Sequence, residues 1–417
     1  MRLVFPNPHL ERFGVNVAAW LIRRKTVNKY TYILDEIISN PDRPTAFVVD
    51  GMRSSFSVLG LPKVLISRPL ALVEFYIWAA IHGINPFRHK VYRSVSELNP
   101  KEDVVFTFAR VSTEREVEAS RLEEYQGVVM VHFTHYFLDT KKIARRIQSL
   151  QHPVICAESD LTKNEYFQHH FPFVNSVYIL PFVYADRFKS RVPFEQRHNK
   201  CFAIGTYFKS DSKDFLEFYG ETPFHPMRHA IYHSGAVYQD YIDSYITEHS
   251  DNKSELRLIQ SGDPLWLKIG KRVAPFFLLE KLSPGHHQKK YFSFDIVKKY
   301  NAYRMFVSPE EVVGLPSVNM VEGMACGSTY IGIDHPTYTD IGMKPGVHYI
   351  AYKEGSIDDL ARVIAYYQQR PQELAQIAER GYKLTRSRFN PQVVATQFWN
   401  DAEQLLSRRL SETTVSL

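Results

Sequence analysis

Short apolar runs alternate with amphipathic stretches along the chain. Residues 2–5, 45–50, 104–108, 128–132, 154–157 and 176–180 are compact runs of strand formers. Between the first two, residues 14–24 bring Val15, Ala18, Ala19 and Ile22 to one side at helical spacing. A charged, polar stretch at 187–200, with Pro193 inside it, reads as a linker. The pattern then restarts. Residues 201–205 form a strand that runs into Gly205, and 256–259, 305–307 and 330–333 are later strands. Residues 356–370 and 371–388 are helices, the first opened by Ser356 with Asp358 and Asp359 in its first turn. Residues 410–417 are polar and expected to fray.

Strands alternating with helices predict parallel sheets covered on both faces, an α/β fold. A chain of 417 residues exceeds what one core holds, so two Rossmann-like domains follow. The break at the linker divides the chain into residues 1–190, 191–390 and a C-terminal helix and tail at 391–417 that packs back on the first domain. Doubly wound domains bind ligand at the carboxyl ends of their strands, which places a site in the cleft between them.

Composition narrows this picture only a little. Hydrophobic residues at 44% and charged residues at 23% are ordinary for a globular protein. The 25 Tyr and 28 Phe suit ring stacking on a ligand but more often fill cores. A net charge of +6 is too mild for a dedicated nucleic-acid binder and fits an anionic ligand. Cys156, Cys201 and Cys326 show no metal or redox spacing, which predicts reduced thiols and no structural metal. The start lacks the apolar core of a signal peptide, and the apolar run at 70–81 is short and carries Glu74. A cytoplasmic protein is expected.

The chemistry concentrates in Glu311-Val-Val-Gly-Leu-Pro-Ser-Val-Asn-Met-Val-Glu-Gly-Met-Ala-Cys-Gly327. Gly314, Leu315 and Pro316 end an irregular loop, Ser317 is a helix N-cap, residues 318–325 are helical, and Gly327 stops the helix. Free main-chain N–H groups at such a helix start suit a diphosphate. Glu322, inside the helix, is placed to accept two hydrogen bonds from a ribose diol. Glu311 lies on the other side of the diphosphate, within reach of a sugar hydroxyl.

This run resembles the donor-binding signature of retaining GT-B glycosyltransferases, of the large family that includes many lipopolysaccharide and capsule enzymes. Glu311-Val-Val-Gly-Leu-Pro316 is similar to its first half and Glu322-Gly-Met-Ala-Cys-Gly327 to its second. The resemblance implies that Glu311 touches the donor sugar, with Glu310 as the alternative, and that Glu322 touches the ribose. Ten residues separate Glu311 from Glu322 where the family has seven. Either the helix start is lengthened and Glu322 keeps its role, or Asn319 shares the ribose contact. The family also places an Arg after the Gly that ends the first strand of the second domain; here Thr206 follows Gly205. Lys209 or Lys213 then fills the Lys role, and Arg228 stands in for the missing Arg on phosphate. In the first domain His132 or His135 lies near the donor sugar, and Gly14 belongs to a loop on the diphosphate or acceptor. The polar loop at 50–55 is an acceptor contact.

The resemblance implies retaining transfer of a sugar from a nucleotide-diphosphate donor to a glycan or lipid-linked acceptor, in capsule, O-antigen or other surface polysaccharide synthesis. Asp-x-Asp is missing where a metal would be held against the diphosphate, so metal-independent chemistry without a cofactor is expected. Basic faces at 23–25 and at Lys141, Lys142, Arg145 and Arg146 suit a weak contact with the inner face of the cytoplasmic membrane. The altered spacing and the missing Arg also fit a non-catalytic scaffold that binds a glycan or partner. A sugar-nucleotide epimerase on the same fold is the third reading.

Overall fold

The computed structural model describes residues 1–6, 31–49, 83–109, 121–134, 136–207, 212–234, 236–248 and 294–415, with five positions between 72 and 80. The elements expected at 14–24 and 256–259, the loop at 50–55 and the basic run at 23–25 lie outside the described residues.

Seven strands form the first sheet: β1 (Arg2–Pro6), β2 (Thr45–Val48), β3 (Lys90–Tyr92), β4 (Asp103–Phe108), β5 (Val128–His132), β6 (His152–Ala157) and β7 (Tyr178–Ile179). Their order is β3-β2-β1-β4-β5-β6-β7, and every described pairing is parallel. This is the doubly wound order of a Rossmann-like sheet, with its reversal between β1 and β4. Five strands form the second sheet: β8 (His198–Tyr207), β9 (Ile242–Glu248), β10 (Tyr303–Val307), β11 (Thr329–Ile333) and β12 (Ile350–Tyr352). They run β12-β11-β10-β8-β9, again all parallel, with the reversal between β8 and β10. The fold is therefore α/β with two Rossmann-like units, as the GT-B expectation required.

The helices used below are α1 (Thr31–Ser39), α2 (Thr140–Ser149), α3 (Glu165–His170), α4 (Lys213–Tyr219), α5 (Pro226–Ser234), α6 (Ile296–Ala302), α7 (Asn319–Ala325), α8 (Pro336–Thr339), α9 (Ile357–Gln368), α10 (Pro371–Arg388) and α11 (Pro391–Val415). Central strands are buried on both faces and read as continuous apolar runs, which is why β4, β5, β10 and β11 were legible without alternation. Aromatic residues fill this core: Tyr136, Tyr166, Tyr300, Tyr330 and Tyr338 are among the largest fully buried side chains. All three cysteines are buried and free.

The stretch between the sheets is not a loose linker. The Arg197 side chain is buried, and its guanidinium donates to the carbonyls of Val192, Tyr300 and Cys326 and to Ser190 Oγ. Three separate carbonyls and a hydroxyl are thus satisfied by one planar fork of donors. The chain end also departs from expectation. Residues up to Val415 continue α11, which packs across α1 and β5 of the first unit. Phe398 meets the Phe106 ring at 5.1 Å and Tyr178 donates to Asp401 at 2.8 Å. No described helix is long and apolar enough to cross a membrane.

Phe398 is fully buried against the first sheet although it follows the second in sequence. Phe398→Ala should cost about 3–5 kcal/mol, the usual loss for emptying a buried aromatic site. Urea unfolding followed by circular dichroism measures it; a loss below about 1 kcal/mol would show that α11 is not needed by the first unit.

Candidate functional site

The reversal between β8 and β10 creates a crevice at the carboxyl ends of these strands, and the side chains around it are densely bonded. Gly205, near the end of β8, has φ +140°, and a Cβ there would meet Arg228 Nε at 2.8 Å. The glycine lets Arg228, on α5, lie directly over the strand end. Arg228 is 7% exposed, and it donates from Nε to the Pro309 carbonyl at 2.9 Å and from an Nη to the Thr206 carbonyl at 3.0 Å. One guanidinium thereby clips the end of β8 to the segment that leaves β10. This employs Arg228 in positioning, where sequence reasoning had assigned it to phosphate.

Glu310 and Glu311 follow immediately and behave differently. Glu310 accepts from Tyr338 and, at 3.2 Å, from Tyr330, with the Ile333 amide at 3.4 Å. Burial raises its carboxyl above the ordinary range, and the tyrosine hydrogen bonds oppose that rise. Glu310 is thus committed to the protein. Glu311 lies with Oε1 3.9 Å from His225 Nε2. Burial, and then the charge of Arg228, hold His225 well below its ordinary pKa, so it is neutral and the contact is not a charged pair. Glu310 thus lies against two tyrosines and Glu311 beside a neutral histidine. His225 was not singled out from sequence; its place at the start of α5, facing a loop from another strand, is a tertiary fact.

The following turn is drawn inward. The Gly314 amide donates to the Glu311 carbonyl at 3.0 Å, the Glu311 amide to Leu315 at 3.2 Å, and Gly314 takes φ +80°. Val313 and Leu315 are buried in the apolar cluster of the first unit, beside Phe133, Tyr136 and Phe137. Gly314, Leu315 and the buried Pro316 therefore seal the units together, and their side chains do not line an open groove.

The helix start is tied back to β10. Ser317 Oγ lies 2.8 Å from Ser308 Oγ, and the Asn319 amide group donates to Ser308 at 3.0 Å. Both residues are buried. α7 ends as expected, with Gly327 at φ +74° and the Ser328 and Gly327 amides donating to Gly323 and Met324 in a Schellman pattern. Gly323 is required by close packing, since a Cβ would meet the Phe306 ring at 2.3 Å.

Glu322 is the exception in this bonded region. Among the described residues no hydrogen-bond donor reaches its carboxyl. Burial pushes it up to about 7, opposed by the charge of Arg187 from the linker. Tyr32, at the start of α1, has its hydroxyl pKa raised by burial, with smaller opposing effects of the charges of Arg187 and Glu322. The side chain of Glu322 is half-buried, and a partly shielded carboxyl with a raised pKa and no donor among the described residues is a candidate ligand contact.

The remaining expectations divide. His132 is 0% exposed, enclosed by Phe106 and Phe108, with ring centroids 6.3 and 5.5 Å away. It points to the same face as Met130, into the core, and this corrects its placement in the cleft. Lys213 is exposed at the start of α4. His135, Lys209 and Gly14 lie outside the described residues. In the basic stripe on α2, Lys141 pairs with Asp214 and Glu217 of α4 at 3.2 and 2.5 Å, so it is spent between the units.

The unbalanced burial of Glu322 has a thermodynamic sign. Its folded pKa of about 7 exceeds the ordinary 4.5, so the folded state holds its proton longer than the unfolded one. Stability therefore falls as pH rises from 4.5 through 7, by at most about 3 kcal/mol. Glu322→Gln should raise the melting temperature at pH 8, and the gain should shrink toward zero near pH 4.5. A gain independent of pH across that range would refute the buried-charge account.

Solved structures similar to this chain include a glycosyltransferase from Rickettsia africae, with 14% identity, 97% of this chain and 98% of that chain covered, and a TM-score of 0.49. Sucrose-phosphate synthase from Thermosynechococcus elongatus is similar at 11% identity, with 98% and 100% covered and a TM-score of 0.49. Anabaena HepE in complex with UDP-glucose is similar at 12% identity, with 99% and 100% covered and a TM-score of 0.49. No curated protein matches the sequence. Residues 271–400, which contain Glu311, Glu322 and α7, match the glycosyl transferase-like family.

Proposed function

We propose that the protein transfers a sugar from a nucleotide-diphosphate donor bound between its two units. The observation that carries this reading is Glu322, a half-buried carboxylate within the matched segment that no hydrogen-bond donor among the described residues reaches. A ribose diol supplies the two O–H donors such a group needs. Glu311, at the other end of the segment and beside neutral His225, contacts the donor sugar.

In this reading the acceptor hydroxyl attacks on the face from which the diphosphate departs, and the anomeric configuration is retained. The described residues around the site offer positioning and fixed charge more than an acid–base pair. Arg228 acts through the segment it holds, and the diphosphate charge falls to Lys213, to Lys209 and to Arg187, whose field already reaches Glu322. The chemistry needs no metal. A glycan or lipid-linked acceptor of surface polysaccharide synthesis, met at the inner membrane face, is the proposed setting. The remaining support for membrane contact is Lys142, Arg145 and Arg146 on α2.

Isothermal titration calorimetry with UDP, GDP and ADP tests the reading directly. Binding of at least one is expected, and Glu322→Ala should weaken it about a hundredfold through loss of two hydrogen bonds to a charged acceptor. Binding should also weaken as pH falls through about 7, where the carboxylate takes up its proton. If none of the three nucleotides binds the parent protein, donor transfer is wrong. Product anomers read by NMR decide between retention and inversion.

A further inference from the structure

The turn from Glu311 to Leu315 has an unusual set of partners. Three consecutive carbonyls accept hydrogen bonds from side chains, and each of the three has a donor from the first unit. Asn164 Nδ2 donates to Val312 at 3.3 Å, Tyr136 Oη to Val313 at 3.0 Å and Ser159 Oγ to Gly314 at 2.7 Å. Tyr219 and Thr337 of the second unit add donors to Val312 and Gly314 at 3.1 and 3.4 Å. Tyr136 and Ser159 are both buried. Gly314 fits closely, since a Cβ there would meet Asn164 Cβ at 3.1 Å. Phe137 of the first unit and Phe224 of the second meet at 4.0 Å, and the Phe224 carbonyl accepts from the Val312 amide.

We propose that Tyr136, Ser159 and Asn164 are positioning residues for Glu311, so that the first unit fixes the donor-side carboxylate carried by the second. This rests on the reading of Glu311 as a sugar contact. The backbone of Glu311 is fastened by both its amide and its carbonyl to the turn that these side chains hold. A shift of the turn moves the Glu311 carboxyl with it. The end of β8 is held separately, by Arg228 on the Thr206 carbonyl. Surface ion pairs between the units, such as Lys163 with Asp340 at 2.7 Å, do not touch the turn.

The test uses the full-length protein with Tyr136→Phe, Ser159→Ala, the double variant, and Lys163→Ala as a control. Hydrogen–deuterium exchange is read on peptides covering residues 309–318. Faster exchange confined to that segment is expected in the double variant, with the Lys163→Ala protein unchanged there. Exchange at the parent rate in the double variant overturns the proposal. Steady-state kinetics with the sugar nucleotide that the parent turns over gives the second readout. A fall in kcat of about tenfold with KM within about twofold is expected, because ribose recognition is untouched. Unchanged kcat, or a rise in KM alone, also overturns it. A parent that binds no nucleotide would instead sink the transfer reading, and the exchange experiment would still decide whether the first unit holds the turn.

Discussion

A buried turn must have its carbonyls satisfied from within the protein, and in the turn after Glu311 the buried Val313 carbonyl meets this condition through Tyr136 of the first unit. Val313 and Leu315 leave water by entering the apolar cluster of the first unit. The Leu315 carbonyl is satisfied within the turn by the Glu311 amide, while those of Val313 and Gly314 accept from Tyr136 and Ser159 of the first unit. Apolar burial and polar satisfaction thus demand the same juxtaposition. Arg228 adds a third condition, because it ties the Pro309 carbonyl just upstream to the end of β8. The site's geometry is therefore set by main-chain hydrogen bonding, with the reactive side chains carried on the result.

Against that bonded frame, Glu322 stands out by electrostatics. Nearly every other polar group around the crevice is held: Glu310 by two tyrosines, Asn319 by Ser308, Arg228 by two carbonyls. A folded protein gains nothing in stability from a desolvated carboxylate faced by one exposed arginine.

Much of this was legible in the sequence, for physical reasons. Central strands such as β5 and β10 are continuous apolar runs, and the α7 segment announces itself by Gly314, Pro316 and Gly327 at positions where backbone geometry restricts the choice of residue. Edge strands were harder. β3 at Lys90–Tyr92 and β9 at Ile242–Glu248 have few apolar residues and were not expected. His132 misled because a strand's carboxyl end suggests a cleft, whereas alternation along β5 turns its ring into the core. The role of Lys141 was equally hidden: a basic helix face looks the same in sequence whether it meets lipid or, as here, the acidic start of α4. Inter-unit contacts of this kind depend on how two sheets are juxtaposed, and no local pattern encodes that.

The spacing between the two glutamates shows how a sequence anomaly resolves into geometry. The extra residues between Glu311 and Glu322 had two readings, a longer helix start or an Asn319 that takes over the ribose. In the structure α7 starts at Asn319, and the residues at its start are tied back to the end of β10. Ser317 and Asn319 both turn to Ser308 at the end of β10, and the Asn319 amide group is consumed there. Because that anchor fixes the start of the helix, the residues after it keep their register. Gly323 lies under Phe306 and the Schellman turn closes α7 at Gly327, so the segment around Glu322 is fixed by packing and main-chain bonds whatever the length upstream.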